Sequence, residues 1–190
     1  MELLARMFHL FSGRNRGFAL VLLAGALNCV GQVTREYDLK AAFLFNFARF
    51  VEWPASAFGS ADEPFTIGVL GEDPFGAALD GLVNNEKVDS RRLVVRRYRS
   101  VEEIKSCQIL FVSQSESPKA EEVLLALKGR SVLTVGETDG FASNGGVIRF
   151  FTDKNKLRVR INVDAAKQEK LTISSKLLRA AEVVNRGETR

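Results

Sequence analysis

Histidine and cysteine are nearly absent from these 190 residues, with one His and two Cys in all. The shortage deepens if the N-terminus is removed. Arg14 and Arg16 precede an apolar run of ten residues, Phe18 to Leu27. That run is too short for an ordinary membrane anchor, and small residues follow it, which is the pattern of an export signal. Cleavage is expected after Gly31, with Ala26 as the other position. Cys29 leaves a lipidated N-terminus open, although Asn28 suits that signal poorly, and an uncleaved anchor is the third alternative. Cleavage after Gly31 divides the chain into a signal, 1–31, and a mature domain, 32–190. It removes His9 and Cys29 and leaves Cys107 alone. Ser-His-Asp and Cys-His catalysis, His/Cys metal sites and an internal disulfide are then excluded by composition. No catalytic residue, metal or cofactor is expected.

A large excess of one charge is also missing, with 27 basic and 23 acidic side chains. The whole chain carries +4; residues 1–31 contain three basic residues and one acidic residue, so the mature part carries +2. This balance does not call for nucleic acid. The phosphate-cradling motifs are missing as well. Gly68, Gly71 and Gly76 have the wrong spacing for a dinucleotide fingerprint, Asp73-Pro74 fills the turn, and no P-loop occurs. There is no internal repeat and no interdomain linker.

What is present is a long apolar helix. Tyr37 to Trp53 reads as about four turns, apolar over most of its circumference and so largely buried. Pro54 is expected to stop it. Asp38, Ala42, Phe45, Arg49 and Glu52 fall on one stripe, the sole candidate for a solvent face. Phe45 in its middle either packs beneath a neighbouring loop or, flanked by Arg49 and Glu52, meets a partner chain.

Strands and helices alternate after it. Strands are expected at Phe65–Leu70, Leu93–Tyr98, Cys107–Val112 and Ser131–Val135. Asp73 and Pro74 are suited to open a helix to about Val83. Ser100-Val-Glu-Glu103 matches a capping box, and Pro118 to Lys128 reads as a helix closed by Gly129. The last third changes character. Val147–Phe151 and Lys156–Val163 read as a hairpin at one edge of the sheet, with Leu157, Val159, Ile161 and Val163 inward and Lys156, Arg158, Arg160 and Asn162 outward. Such a basic face is either edge protection or a binding strip. Asp164 is expected to cap a short helix, and Ile173, Leu177, Ala181 and Val184 to mark the core face of a closing one. The pattern implies a single three-layer, Rossmann-like α/β domain: a mostly parallel sheet, helices on both faces, and an antiparallel C-terminal hairpin.

In open parallel sheets ligands bind beyond the carboxyl ends of the strands. Four carboxylates are placed there: Glu72 and Asp73 after the first strand, Glu137 and Asp139 after the fourth. They either line a small-ligand pocket, act as acid and base, or cap helices. Cys107 opens a strand and reads as a small buried residue, although an exposed one could bridge two chains.

Three stretches together carry a resemblance. They are Lys40-Ala-Ala-Phe-Leu-Phe-Asn-Phe-Ala-Arg-Phe-Val-Glu-Trp-Pro54, Gly145-Gly-Val-Ile-Arg-Phe150, and Leu157 through Ile161 with Leu171-Thr-Ile-Ser-Ser-Lys-Leu-Leu178. With them the chain resembles the YfiR family of exported bacterial proteins over about residues 36–185. The resemblance implies a periplasmic repressor, not an enzyme. Such a protein binds an inner-membrane diguanylate cyclase, or another membrane sensor, and limits cyclic di-GMP and biofilm formation. It also implies a homodimer and release by an outer-membrane lipoprotein. Cys107 alone cannot form the internal disulfides of some members. Contacts are assigned to Phe45, Arg49 and Glu52, with Arg158 and Arg160 as a second patch. The alternative is a periplasmic small-ligand sensor acting through Glu72, Asp73, Glu137 and Asp139 on another receptor.

Overall fold

The computed structural model describes residues 35–184, so the expected signal and the extreme C-terminus lie outside the described residues. The chain divides into two units, Met1–Tyr37 and Asp38–Arg190. Of the first, only the helical residues 35–37 are described. The second opens with helix α1, 38–50. No helix among the described residues is long and apolar enough to cross a membrane.

Helix α1 ends three residues short of Trp53. Val51–Glu52 leave the helix as strand β1 and pair antiparallel with β9, Thr172–Ile173. The β-branched valine and the available partner strand override the helical periodicity, and Pro54 is not the terminator. Trp53 is instead held from the side: its Nε1 donates to the Gln108 carbonyl at 3.1 Å, and its ring meets Phe65 edge-on at 4.8 Å.

The main sheet has eight strands. In chain order they are β2 (Phe65–Leu70), β3 (Lys87–Val88), β4 (Arg91–Tyr98), β5 (Ile109–Val112), β6 (Leu133–Gly136), β7 (Ile148–Asp153), β8 (Lys156–Asn162) and β10 (Glu182–Val184). Their spatial order is β10-β8-β7-β6-β5-β2-β4-β3. The centre from β4 to β7 is parallel, β7 and β8 form the antiparallel hairpin, and β10 returns parallel to β8. The fold is therefore α/β, as the alternation implies, but the hairpin is not the edge. The stretch expected as one closing helix breaks into β9, a six-residue helix α5 (Ser175–Ala180) capped by Ser174, and β10. Val183 and Val184 favour the sheet, and Arg160 offers Glu182 a partner across the pair.

Cross-strand pairs share a face, so the registers sort the side chains. Ile67, Val69, Ile109, Phe111, Leu133, Val135, Ile148, Phe150, Val159 and Ile161 line the first face. Helix α1 covers its hairpin end, where Phe43 and Phe47 pack on Phe150 at 5.8 and 6.0 Å. Helix α2 (Ala77–Val83) follows β2, and Phe75 before it meets Phe111 at 4.8 Å on the same face. The second face carries Leu70, Tyr98, Leu110 and Val112, packed with Val123 and Leu127 of helix α3, Ala120–Leu127.

Three expected caps are replaced. Asp73 turns back to accept from the Phe75 amide at 2.8 Å, while Gly76 precedes α2. Ser100 makes no cap bond in the short 3-10 turn Val101–Glu103; Glu103 accepts from the Arg99 amide instead. Asn162, not Asp164, caps helix α4 (Val163–Gln168), accepting from the Ala165 amide and donating to the Ala142 carbonyl. It is fully buried, so it does not belong to the outward basic face. Gly145-Gly146 serves geometry. Gly145 has φ +106°, and a Cβ on Gly146 would run into the buried ring of Phe141.

Candidate functional site

The α1 stripe is only partly exposed: Asp38 and Arg49 face solvent, Ala42 and Phe45 are half-buried, and Asn46 beside the stripe is exposed as well. The Arg49 guanidinium lies 4.6 Å from the Phe45 ring centroid and pairs with Glu86 at 2.8 Å. Glu52 departs with β1 and is exposed there, so the group that joins Phe45 and Arg49 is Glu86. No spacing within the helix could have shown that. Leu39, also exposed, extends the apolar part of the stripe.

The inward face of α1 holds an unexpected charge. Lys40 is buried one turn before Leu44 and pairs with Glu137 at 2.5 Å, both side chains being more than nine-tenths buried. A lysine at i, with Leu44 at i+4 and Phe47 at i+7, was the available signal: it sits on the apolar stripe. This pair ties the first signature stretch to the loop beyond β6.

Two of the other three carboxylates, Asp73 and Asp139, are also engaged. Asp73 accepts from Arg97 Nε at 2.9 Å, and Asp80 accepts from the same guanidinium. The Arg97 bond holds the Asp80 carboxyl below its ordinary range, and Asp80 with Asp73 raises Arg97. Asp139 pairs with Arg149. Glu72 is exposed, and its amide donates to Ser115 Oγ at 3.0 Å. β5 lies between β2 and β6, so the two carboxylate loops leave strands roughly 10 Å apart. Connections from β2 and β5 run to opposite sides, which makes their carboxyl ends the switch point where doubly wound sheets bind ligands. Here Ser115 and Glu116 occupy it, close enough to Gly71 (φ +87°) that a side chain there would strike Glu116. Among the described residues no cluster of acidic, His or Cys side chains could hold a metal.

Arg158 and Arg160 lie on the second sheet face, opposite the face that α1 covers. The two patches assigned from sequence are therefore not brought together. The register sets Arg149 opposite Arg160 and Phe151 opposite Arg158. Arg160 pairs with Glu182 at 2.9 Å and stands 4.8 Å from the Phe151 ring centroid. Arg158 is exposed. Phe151, Arg158, Arg160 and Glu182, with Arg179 of α5, line a cleft of about 620 Å³.

Cys107 is buried against Gly68 and Tyr98, and burial pushes its thiol up to about 12. It donates to the Ile109 carbonyl at 2.9 Å. That agrees with a structural thiol and removes the intermolecular bridge. Gln108 is a residue the sequence reading missed. It is wholly buried, accepts from the Thr66 amide and donates to the Ala57 carbonyl, each at 2.8 Å. With the Trp53 bond to its own carbonyl, it joins the Trp-Pro signature to the sheet.

A family model described as YfiR/HmsC-like matches residues 37–182, most of the chain and nearly all the described part. No curated protein matches it. Among solved structures, an ABC domain from Streptococcus pneumonia in complex with L-Trp is similar at 13% identity and a TM-score of 0.47. That alignment covers 63% of this chain and 55% of the other, so the chain spans just over half of that structure's length.

Proposed function

The chain belongs to the YfiR/HmsC-like family, a regulatory rather than a catalytic family of the periplasm associated with diguanylate cyclase control, and from that premise we propose a specific role. The protein is exported through cleavage of residues 1–31. The mature domain, 32–190, represses an inner-membrane diguanylate cyclase by direct periplasmic contact and so limits cyclic di-GMP and biofilm formation. An outer-membrane lipoprotein withdraws it, and it acts as a homodimer. The observation that carries this reading is the family match over 37–182. The engagement of Asp73 and Glu137 in ion pairs agrees with it, because those groups are occupied with holding the fold.

Repression needs no chemistry, only differential affinity for two receptor states. A ~100-fold preference for the off state supplies about 2.7 kcal/mol. We assign the contacts to Phe45, Arg49 and Glu52, now with Glu86, and to Arg158 and Arg160. The test is deletion and complementation in the native cell, read as cyclic di-GMP, with crosslinking capture of the envelope partner. Deletion should raise cyclic di-GMP, and the parent chain should restore it. The reading fails if deletion leaves cyclic di-GMP unchanged. The contact assignment fails if Phe45→Ala and Arg158→Glu chains both fold and repress like the parent.

A further inference from the structure

We infer that the hairpin end of the second sheet face is a docking site for an acidic, extended segment of a partner protein. The inference deepens the reading above and rests on it only for the partner being a protein.

Two arginines stand directly opposite each other there, Arg149 on β7 and Arg160 on β8. Like charges in that position oppose pairing. Each is answered by a carboxylate, Asp139 and Glu182, and the Phe151 ring lies near both guanidiniums, 5.8 Å from Arg149 and 4.8 Å from Arg160. The fold thus gathers guanidinium and ring groups there, and the Arg149 Nε is shielded from solvent and meets no hydrogen-bond acceptor of the protein. Arg158 and Arg179 extend the cluster to the mouth of the cleft. Both are exposed, and among the described residues neither has a carboxylate partner.

The same cleft borders an edge. β10 ends the strand order, so among the described residues its outer side is unpaired. An incoming strand can pair its main chain with β10 and send alternate side chains towards the cleft. Those side chains stand about 7 Å apart along the strand, and Arg158 and Arg179 are the exposed cations of the cleft wall that they would meet. Guanidinium forks suit carboxylates. Asp153 and Glu182 share the cleft wall, so a segment that sets its carboxylates at Arg158 and Arg179 alone fits better than a flat anionic bilayer, which would cover all four side chains.

The test titrates the full chain into a short fluorescent peptide of alternating Glu and Val and reads anisotropy. Binding should weaken with salt and fall about tenfold or more in Arg158→Glu/Arg179→Glu, the loss of one charged contact or more. Lys87→Glu/Arg92→Glu, at the far edge on β3 and β4, should bind like the parent. Arg158→Gln/Arg179→Gln repeats the test if the reversal fails to fold. Absence of peptide binding, or equal loss in the far-edge variant, overturns the inference. So does arginine-dependent binding to phosphatidylglycerol vesicles without peptide binding. Peptide binding by a chain whose deletion leaves cyclic di-GMP unchanged would uphold the cleft and sink the repressor reading. The reverse result would do the opposite.

Discussion

At the scale of single residues, the buried Lys40–Glu137 pair carries the clearest consequence. Two buried charges are costly to desolvate, and removing one leaves the other worse placed. Lys40→Met should cost about 3–5 kcal/mol in urea unfolding. Lys40→Met with Glu137→Leu should recover much of that loss, because both charges are gone. If the single variant unfolds like the parent, the pair contributes nothing to holding α1. Cys107 gives a second residue-scale test. Burial pushes both its thiol and the Tyr98 phenol up to about 12, against ordinary values of 9.0 and 10.0. The unfolded chain therefore loses these protons first, so stability is complete below about pH 9 and declines towards pH 12. The urea midpoint measured across that range should fall. In Cys107→Ala the thiol's part of the slope should vanish, and in the native parent the thiol should resist alkylation at neutral pH.

At the scale of elements, the Gln108 side-chain amide joins its own segment to two others, the 55–57 turn and β2. Gln108→Leu keeps the volume but leaves the Thr66 amide and the Ala57 carbonyl without their partner, on the order of 1–3 kcal/mol for each group that water cannot reach. Hydrogen exchange should quicken first in the 55–64 loop and at the start of β2. Unchanged exchange there would mean that the Trp53 ring alone anchors the loop. The same elements explain what was legible. The parallel strands could be read because they are short, β-rich apolar runs bounded by turns, and so could the hairpin with its strict alternation. β1, β9 and β10 could not, since strands of two or three residues have no period and exist only through partners distant in sequence. Caps failed for a related reason: Asp73 matches the pattern of a cap, but Arg97, on a strand formed later in the chain, draws it elsewhere. At the candidate site, Arg49 and Arg158 were visible as exposed positions. Their separation to opposite sides of the sheet was not, because it depends on which face each strand turns inward.

At the scale of the whole molecule, that separation decides what kind of binding protein this can be. Phe45 and Arg49, joined by Glu86 from the loop before β3, lie on the outer side of a helix that covers one sheet face, and the arginine cleft lies on the other. A sheet with a helix layer on one face is more than about 10 Å thick. An interface of ordinary size covers roughly 800 Å² on each partner, so one globular contact would have to wrap around the β10 edge to include both patches. We therefore expect the two patches to serve two partners, one of which is the membrane receptor. Crosslinking from the native envelope should then give different losses: Arg49→Glu should lose one captured species and Arg158→Glu/Arg179→Glu another, with both chains folded by melting temperature. Sites this far apart with no shared side chain should also act independently, so the combined variant should show the sum of the two affinity changes within about 0.5 kcal/mol for each partner. Loss of one and the same species in both variants would mean a single partner that wraps the edge, and the two faces would then be halves of one interface.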